Sequence, residues 1–287
     1  MIYEHEIPQG GKLYFARSAK LKREIEAIAS DILSKEGFEE IITPFFSYHQ
    51  HQSVDEKMLI RFSDADNHII SLRADSTLDM VRIISRRLGR ATKQKRWFYI
   101  QPVFHYPSTE INQIGAEFIG GTDLKLCVDA VSGIFSHFDI APLLYISNVK
   151  IPKIISKLLN IPLEIFANGQ LEDILNINED WLIKLATMQK AEEIEAALDI
   201  SPKPIREELL KLKSLADKIS YQNMVIAPLF YSKMRYYDAL FFSFIDKNEV
   251  LGSGGAYRFE GQESVGFGLY TDAIIETIIK TKEEKVK

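Results

Sequence analysis

Three short stretches of this 287-residue chain gather polar groups on strand-like backbone: Leu72-Arg-Ala-Asp-Ser-Thr77, Gln113-Ile-Gly-Ala-Glu117 and Arg235-Tyr-Tyr237. In the second, the two-residue period of a strand puts Gln113, Gly115 and Glu117 on one face, so an amide and a carboxylate flank a residue without a side chain. Gly115 would then leave open space between them. Such a pocket suits a small zwitterion, because a carboxylate accepts from an ammonium or imidazole N–H while tyrosine hydroxyls complete the hydrogen bonding. The same residues would equally serve as the solvated face of an edge strand, and the local pattern does not separate the two.

Other clusters are weaker. Gly252-Ser-Gly-Gly255 has the look of a phosphate-cradling loop but lacks the Lys-Ser/Thr ending, so a glycine-rich turn between two strands is the better expectation. Tyr48-His-Gln-His51 offers two imidazoles with no third ligand cluster nearby, and no metal is expected. Arg82 to Arg96 holds seven basic residues and no acidic one, which fits a positive patch for phosphate, nucleic acid or an acidic partner, or a solvated helix end. No Ser-His-Asp or Cys-His arrangement is indicated by spacing.

The elements that must position these groups read as mixed α and β. From Ala16 to Lys35, Leu21, Ile25, Ile28 and Ile32 make one apolar stripe on a helix, and Gly37 follows as its C-cap. A β-rich run carrying Pro44 comes next, and Pro44 marks an edge, an interface or a strand end. His68 to Arg73 reads as a strand, Thr77 to Arg90 as a helix, Trp97 to Tyr106 and Gln113 to Gly120 as a hairpin, Asp123 to Phe138 as a helix and Leu143 to Val149 as a strand. From 150 to 220 leucine, isoleucine, glutamate and lysine dominate, and Ile205, Leu209, Leu212, Ala216 and Ile219 keep the helical period. Strands resume near Arg235, and a helix starts near Thr271. Adjacent strands argue for an α+β fold with an antiparallel sheet flanked by helices. The expected division is a core of residues 1–149 and 221–287 with a helical insertion at 150–220.

Composition bounds the function. Apolar residues at 46% and charged residues at 26% are those of a globular protein with a sizeable core. Lys and Arg total 35 against 40 Asp and Glu, a net charge of −5, so nucleic acid is not expected as a partner of the chain as a whole. A single cysteine, Cys127, excludes an internal disulfide and fits a reducing compartment. The start has neither a leader pattern nor a long apolar span, so the expected location is cytoplasmic, away from membranes.

Taken in order, these pieces resemble the catalytic core of class II aminoacyl-tRNA synthetases, specifically the histidyl-tRNA synthetase branch. The first helix, Gly37-Phe-Glu-Glu-Ile41 and Pro44 look like motif 1, and Leu72 to Thr77 is similar to the Leu-Arg-Pro-Glu/Asp-x-Thr stretch that binds the α-amino group. Phe104-His-Tyr106 with Gln113 to Glu117 resembles motif 2. Tyr236-Tyr237 matches the paired tyrosines of the histidine-specific segment, and Gly254-Gly-Ala-Tyr257 its Gly-Gly-Arg-Tyr. The resemblance covers residues 12–149 and 222–281. Each motif alone is weak, and their shared order is what makes them specific.

The departures carry as much as the matches. His105 stands where motif 2 has the arginine that contacts the ATP α-phosphate and the amino-acid carboxylate. Ser232 stands in place of the histidine-specific arginine, and Asp272-Ala273 where motif 3 ends in an arginine. Adenylyl transfer needs cationic clamps on developing charge, so the resemblance implies a non-catalytic chain. The chain also ends just past the motif 3-like helix, which implies a core without the anticodon-binding domain.

That combination is similar to the regulatory subunit family of ATP phosphoribosyltransferase. The resemblance implies no catalytic residues, cofactor or metal. It implies a short-form catalytic subunit as partner in a hetero-octamer, a self-dimer through residues near Pro44, and L-histidine as feedback effector in the first step of histidine biosynthesis. Its candidate histidine-binding residues are Asp75, Thr77, His105, Gln113, Glu117, Tyr236 and Tyr237. Such regulation requires two states of the complex that bind histidine unequally. The alternatives are an amino-acid-activating or tRNA-binding paralogue of histidyl-tRNA synthetase.

Overall fold

A computed structural model describes residues 6–48, 54–88, 91–231 and 237–284. In chain order its elements are α1 (Ala16–Lys35), β1 (Glu39–Glu40), β2 (Phe46–Ser47), β3 (Arg61–Ser63), β4 (Ile69–Leu72), α2 (Ser76–Ile83), β5 (Arg96–His105), β6 (Thr109–Ile119), α3 (Leu124–His137) and β7 (Leu143–Asn148). They continue with α4 (Lys150–Leu159), α5 (Glu164–Ala167), α6 (Leu171–Leu175), α7 (Asp180–Thr187), α8 (Glu193–Ile200), α9 (Lys203–Ala216), β8 (Met224–Ile226), β9 (Tyr237–Asp246), β10 (Glu249–Phe259), β11 (Gln262–Tyr270) and α10 (Thr271–Glu284). No described helix is long and apolar enough to cross a membrane.

The chain divides into two compact units. The first comprises residues 1–119, 136–140 and 267–287. Within it β1 runs parallel to β5, β5 pairs antiparallel with β6, and β6 neighbours β11. A second small sheet has the antiparallel order β2-β4-β3. The line of deepest burial on α1 is Leu21, Ile25, Ala29 and Leu33, one residue round from the expected stripe, so that Ile28 and Ile32 flank it half-buried. Its end is a Schellman turn: Gly37 takes φ +78°, its N–H donates to Ser34 O at 3.0 Å, and the Phe38 N–H donates to Leu33 O at 3.0 Å. A side chain at 37 would be strained in that conformation.

Helix α2 is shorter than its apolar period indicated. It gives way at Ile84–Leu88 to a π-helical turn. The β5–β6 hairpin is longer and tighter than expected, pairing continuously from Arg96↔Phe118 to His105↔Thr109. Short β3 was not anticipated, because three exposed residues carry no alternation to read.

The second unit comprises residues 120–135 and 141–266. Its strand order is β11-β10-β9-β7-β8, with β9 antiparallel to both β10 and β7 and β8 parallel to β7. The sheets are therefore mixed: antiparallel pairs in the interior and parallel pairs at β1–β5 and β7–β8. Helices α4 and α9 bury Ile151, Ile155, Leu209 and Leu212. The buried Asn148 side chain of β7 donates to Glu208 Oε2 of α9 at 2.7 Å, which satisfies a carboxylate that burial would otherwise penalise. Gly252 to Gly255 lie inside β10, paired with β9, and not in a turn: a Cβ on Gly254 would press on Gly266 O and the Phe242 ring. That close backbone approach, and not phosphate binding, is what those glycines permit.

Candidate functional site

In the first unit, the segment from Arg73 to Thr77 joins β4 to α2 and is held from several directions. The Arg73 guanidinium is fully buried. It donates to Pro102 O from Nε at 3.0 Å and from Nη2 at 2.6 Å, and from Nη1 to Thr43 O at 2.9 Å and Thr43 Oγ1 at 3.0 Å. Burial lowers its pKa to about 10, which leaves it charged at neutral pH. The Arg73 N–H donates to Phe45 O at 2.7 Å and its carbonyl accepts from Phe104 N at 2.9 Å. One cation thus ties the segment between β1 and β2, the end of β4 and β5 together, largely through carbonyl groups.

Asp75 is the N-cap of α2, its Oδ1 accepting from the Leu78 N–H at 2.9 Å. That bond fixes one carboxylate oxygen at the positive end of the helix. Thr77, in the first turn, sets its Oγ1 3.1 Å from the Tyr99 hydroxyl on β5. Deeper on α2, buried Asp79 pairs with Arg82 at 3.0 Å, and Arg82 reaches Ser47 Oγ at 3.1 Å. Burial is the main cause that raises the Asp79 pKa to about 6, against the lowering effect of Arg82.

The hairpin supplies the facing wall. Its register sets Gln113 opposite Gln101, Gly115 opposite Tyr99 and Glu117 opposite Trp97. The space over Gly115 is filled: a Cβ there would run into Cζ and the hydroxyl of Tyr99. The expectation of an open gap is therefore corrected, since glycine is present to seat a ring and not to leave a void. Glu117 is almost fully buried beneath this wall and Gln113 is half-buried. The Tyr99 hydroxyl is raised well above the ordinary phenol range by burial first, then by the charges of Glu117 and Asp75 and by Tyr270. Asp75, Thr77, Glu117 and Tyr270 consequently sit within electrostatic or hydrogen-bonding reach of the Tyr99 phenol. Such a set of acceptors and hydroxyls suits an ammonium or an imidazole N–H.

His105, at the far end of β5, places Nε2 2.9 Å from the Ala74 carbonyl. Tyr237 belongs to the second unit, where it is buried against Phe241 and a Cβ on Gly255 would touch its ring. Tyr236, Arg235 and Ser232 lie outside the described residues, as do His49 and His51. Among the described residues no group of three His, Cys, Asp or Glu side chains could hold a metal.

The basic run is partly structural. Arg82 is spent on Asp79 and Ser47; Arg96 donates to Glu36 O at 2.7 Å and lies over the Phe118 ring at 4.8 Å. Arg87, Lys93 and Lys95 face solvent. At the motif 3-like position Asp272 accepts from the Tyr14 hydroxyl, which in turn accepts from Asn112 Nδ2 at 3.0 Å. Tyr99 and Tyr270 were not singled out from the sequence, and Arg73 entered only as part of the Leu72–Thr77 stretch. The available signal for Tyr99 was a glycine directly opposite a tyrosine in hairpin register.

A family model described as histidyl-tRNA synthetase matches residues 14–274. A relative from Wolinella succinogenes, the ATP phosphoribosyltransferase regulatory subunit, is 46% identical over 284 residues and covers 99% of both chains. The chain belongs to the ATP phosphoribosyltransferase regulatory subunit family. This regulatory-subunit chain has the class II synthetase-like fold, a mixed sheet flanked by helices. The crystal structure of an ATP phosphoribosyltransferase regulatory subunit/histidyl-tRNA synthetase from Bacillus halodurans superposes with a TM-score of 0.76 at 18% identity, covering 97% of this chain and 84% of the other. A chain of the ATP phosphoribosyl transferase (HisG:HisZ) complex from Thermotoga maritima gives a TM-score of 0.66 at 17% identity, covering 88% and 97%.

Proposed function

We propose that this chain is the regulatory subunit of an ATP phosphoribosyltransferase, that it binds a short-form catalytic subunit, and that it carries histidine feedback to the first step of histidine biosynthesis. The observation that carries the reading is the 46% identity to the Wolinella regulatory subunit along the whole of both chains. The Thermotoga fold match, taken from a chain within a two-component complex, supports a catalytic partner.

The chain is non-catalytic in this reading. Transfer at phosphorus requires cations poised on developing negative charge. Here His105 stands where the synthetases have an arginine and is turned onto a backbone carbonyl, and Ala273 follows Asp272 at the motif 3-like helix. The effector pocket lies in the first unit, where Asp75, Thr77, Gln113 and Glu117 offer acceptors for the ammonium and imidazole of L-histidine. Self-association uses the apolar side chains around Pro44: Ile42, Phe45 and Phe46 are 80%, 51% and 57% exposed, too much apolar surface in one segment to leave to water. A dimer of this kind is the building block of the hetero-octamer.

The test is co-purification with the short-form catalytic subunit from the same genome, followed by phosphoribosyl transfer with and without this chain and L-histidine. Complex formation, with activity that depends on this chain and falls with histidine, is expected. A catalytic subunit that neither binds this chain nor changes its rate would sink the reading.

A further inference from the structure

The segment Arg73-Ala-Asp75 delivers the pocket's carboxylate and has no regular structure of its own between β4 and α2. Its first residue is fixed by the guanidinium and backbone bonds described above, and its last by the helix N-terminus. The middle residue, Ala74, is met by the imidazole of His105, with Nε2 2.9 Å from Ala74 O. A carbonyl oxygen only accepts, so Nε2 must carry the proton. The N–H that could otherwise meet an anionic ligand group is committed to the backbone.

We propose that His105 is a positioning residue for amino-acid binding. Its Nε2–H grips the Ala74 carbonyl and so sets the Asp75 carboxylate where an ammonium meets it, while the imidazole does not touch the amino acid's own carboxylate. The inference rests on the proposed histidine pocket and adds a role for residue 105: a substrate clamp in the synthetases has become a tie in the pocket wall. A donor aimed at a fixed carbonyl costs nothing on ligand binding, whereas a mobile Asp75 loop would have to be ordered each time. Discrimination for or against the ligand carboxylate then comes from residues other than 105.

The discriminating experiment compares L-histidine with L-histidinol, which keeps the ammonium and imidazole and lacks the carboxylate. Calorimetry on the full chain with its catalytic subunit is run for the wild type, His105→Ala and His105→Gln. Positioning predicts that His105→Ala weakens both ligands by the same factor, about tenfold for one lost hydrogen bond, with their ratio unchanged. His105→Gln, whose amide N–H can donate to the same carbonyl, restores most of the affinity for both. Selective loss of histidine with histidinol untouched would place the imidazole on the carboxylate and overturn the proposal, and so would unchanged binding of both by a folded His105→Ala.

If the wild type binds neither ligand, the histidine reading itself fails. The positioning contact is then read without ligand, from the nitrogen resonances of the imidazole. The Nε2–H tautomer, lost from no other histidine in His105→Gln, is the expected result. An Nδ1–H tautomer at residue 105 overturns the contact.

Discussion

The Tyr99 ring lies over Gly115, and its hydroxyl stands 3.1 Å from Thr77 Oγ1. Two elements, the β5–β6 hairpin and the first turn of α2, therefore meet through a phenol that the hairpin glycine makes room for. Neither element alone forms the wall. Replacing Gly115 by alanine pushes its methyl group into the ring, and the neighbouring strand backbone cannot retreat. The expected cost is about 1–3 kcal/mol, as for overpacking of a closed core, with loss of amino-acid binding beyond what stability explains. Urea unfolding and calorimetry on the same preparation separate the two. An unaltered midpoint would mean that the ring has somewhere else to go.

Tyr99→Phe keeps the ring and removes the hydroxyl. Thr77 is then left with a buried oxygen whose partner is gone, at a cost of roughly 1–3 kcal/mol. Because the ring still fills the space over Gly115, the variant should fold with an unchanged far-ultraviolet spectrum, while affinity for an ammonium ligand falls. A drop in stability with no change in affinity would remove Tyr99 from the pocket.

Arg73 shows how a buried cation can be structural. Its donors end on carbonyls of Thr43 and Pro102, so Arg73→Met strands several acceptors at once and is expected to cost more than 3 kcal/mol. Arg73→Lys keeps the charge and loses the planar fork, and should recover only part of that. Thermal midpoints of the two variants against the wild type give the order. A lysine variant as stable as wild type would show that charge alone suffices there.

How far these relationships were legible follows from the residues themselves. Helix α1 was readable because its apolar period repeats over several turns and ends in a glycine forced to positive φ. The face shared by Gln113, Gly115 and Glu117 was readable from the strand period. Its filling was not, because Tyr99 sits in Trp97-Phe-Tyr-Ile100, a run that reads as an ordinary buried strand until the register with β6 is known. His105 was visible as a departure from an arginine pattern, but the direction of its imidazole depends on Ala74, 31 residues earlier. Arg73 is legible only as part of the Leu72–Thr77 stretch, since its partners are mostly backbone carbonyls, of Thr43 and Pro102, that carry no sequence signal.

The segment around Pro44 offers a test of self-association. Ile42, Phe45 and Phe46 are exposed in the isolated chain, and Phe46 meets Phe62 of β3 edge-on at 5.9 Å. Phe46→Glu should leave the monomer fold intact, because the side chain is on the outside, and should shift sedimentation from dimer to monomer. Retention of the dimer by that variant and by Ile42→Asp would place the interface elsewhere.

Asp79 should make stability fall as pH rises. Burial holds its folded-state pKa at about 6 against 3.8 for an ordinary aspartate, so between those values the folded chain binds the proton more tightly than the unfolded chain does. Stability from this group is complete below the unfolded value and is lost as pH climbs through the folded one. The shift from 3.8 to about 6 corresponds to roughly 3 kcal/mol withheld at neutral pH. Asp79→Asn mimics the protonated side chain at every pH. It forfeits the attraction to Arg82, but that attraction already loses to burial in setting the aspartate's pKa. The variant should therefore melt a few degrees above wild type at pH 7.5, and the gap should close as pH is lowered through 6 toward 4.5. Calorimetric melts of both proteins across that range measure it. A gap that widens on acidification would mean that the Arg82 pair, and not desolvation, governs this carboxylate.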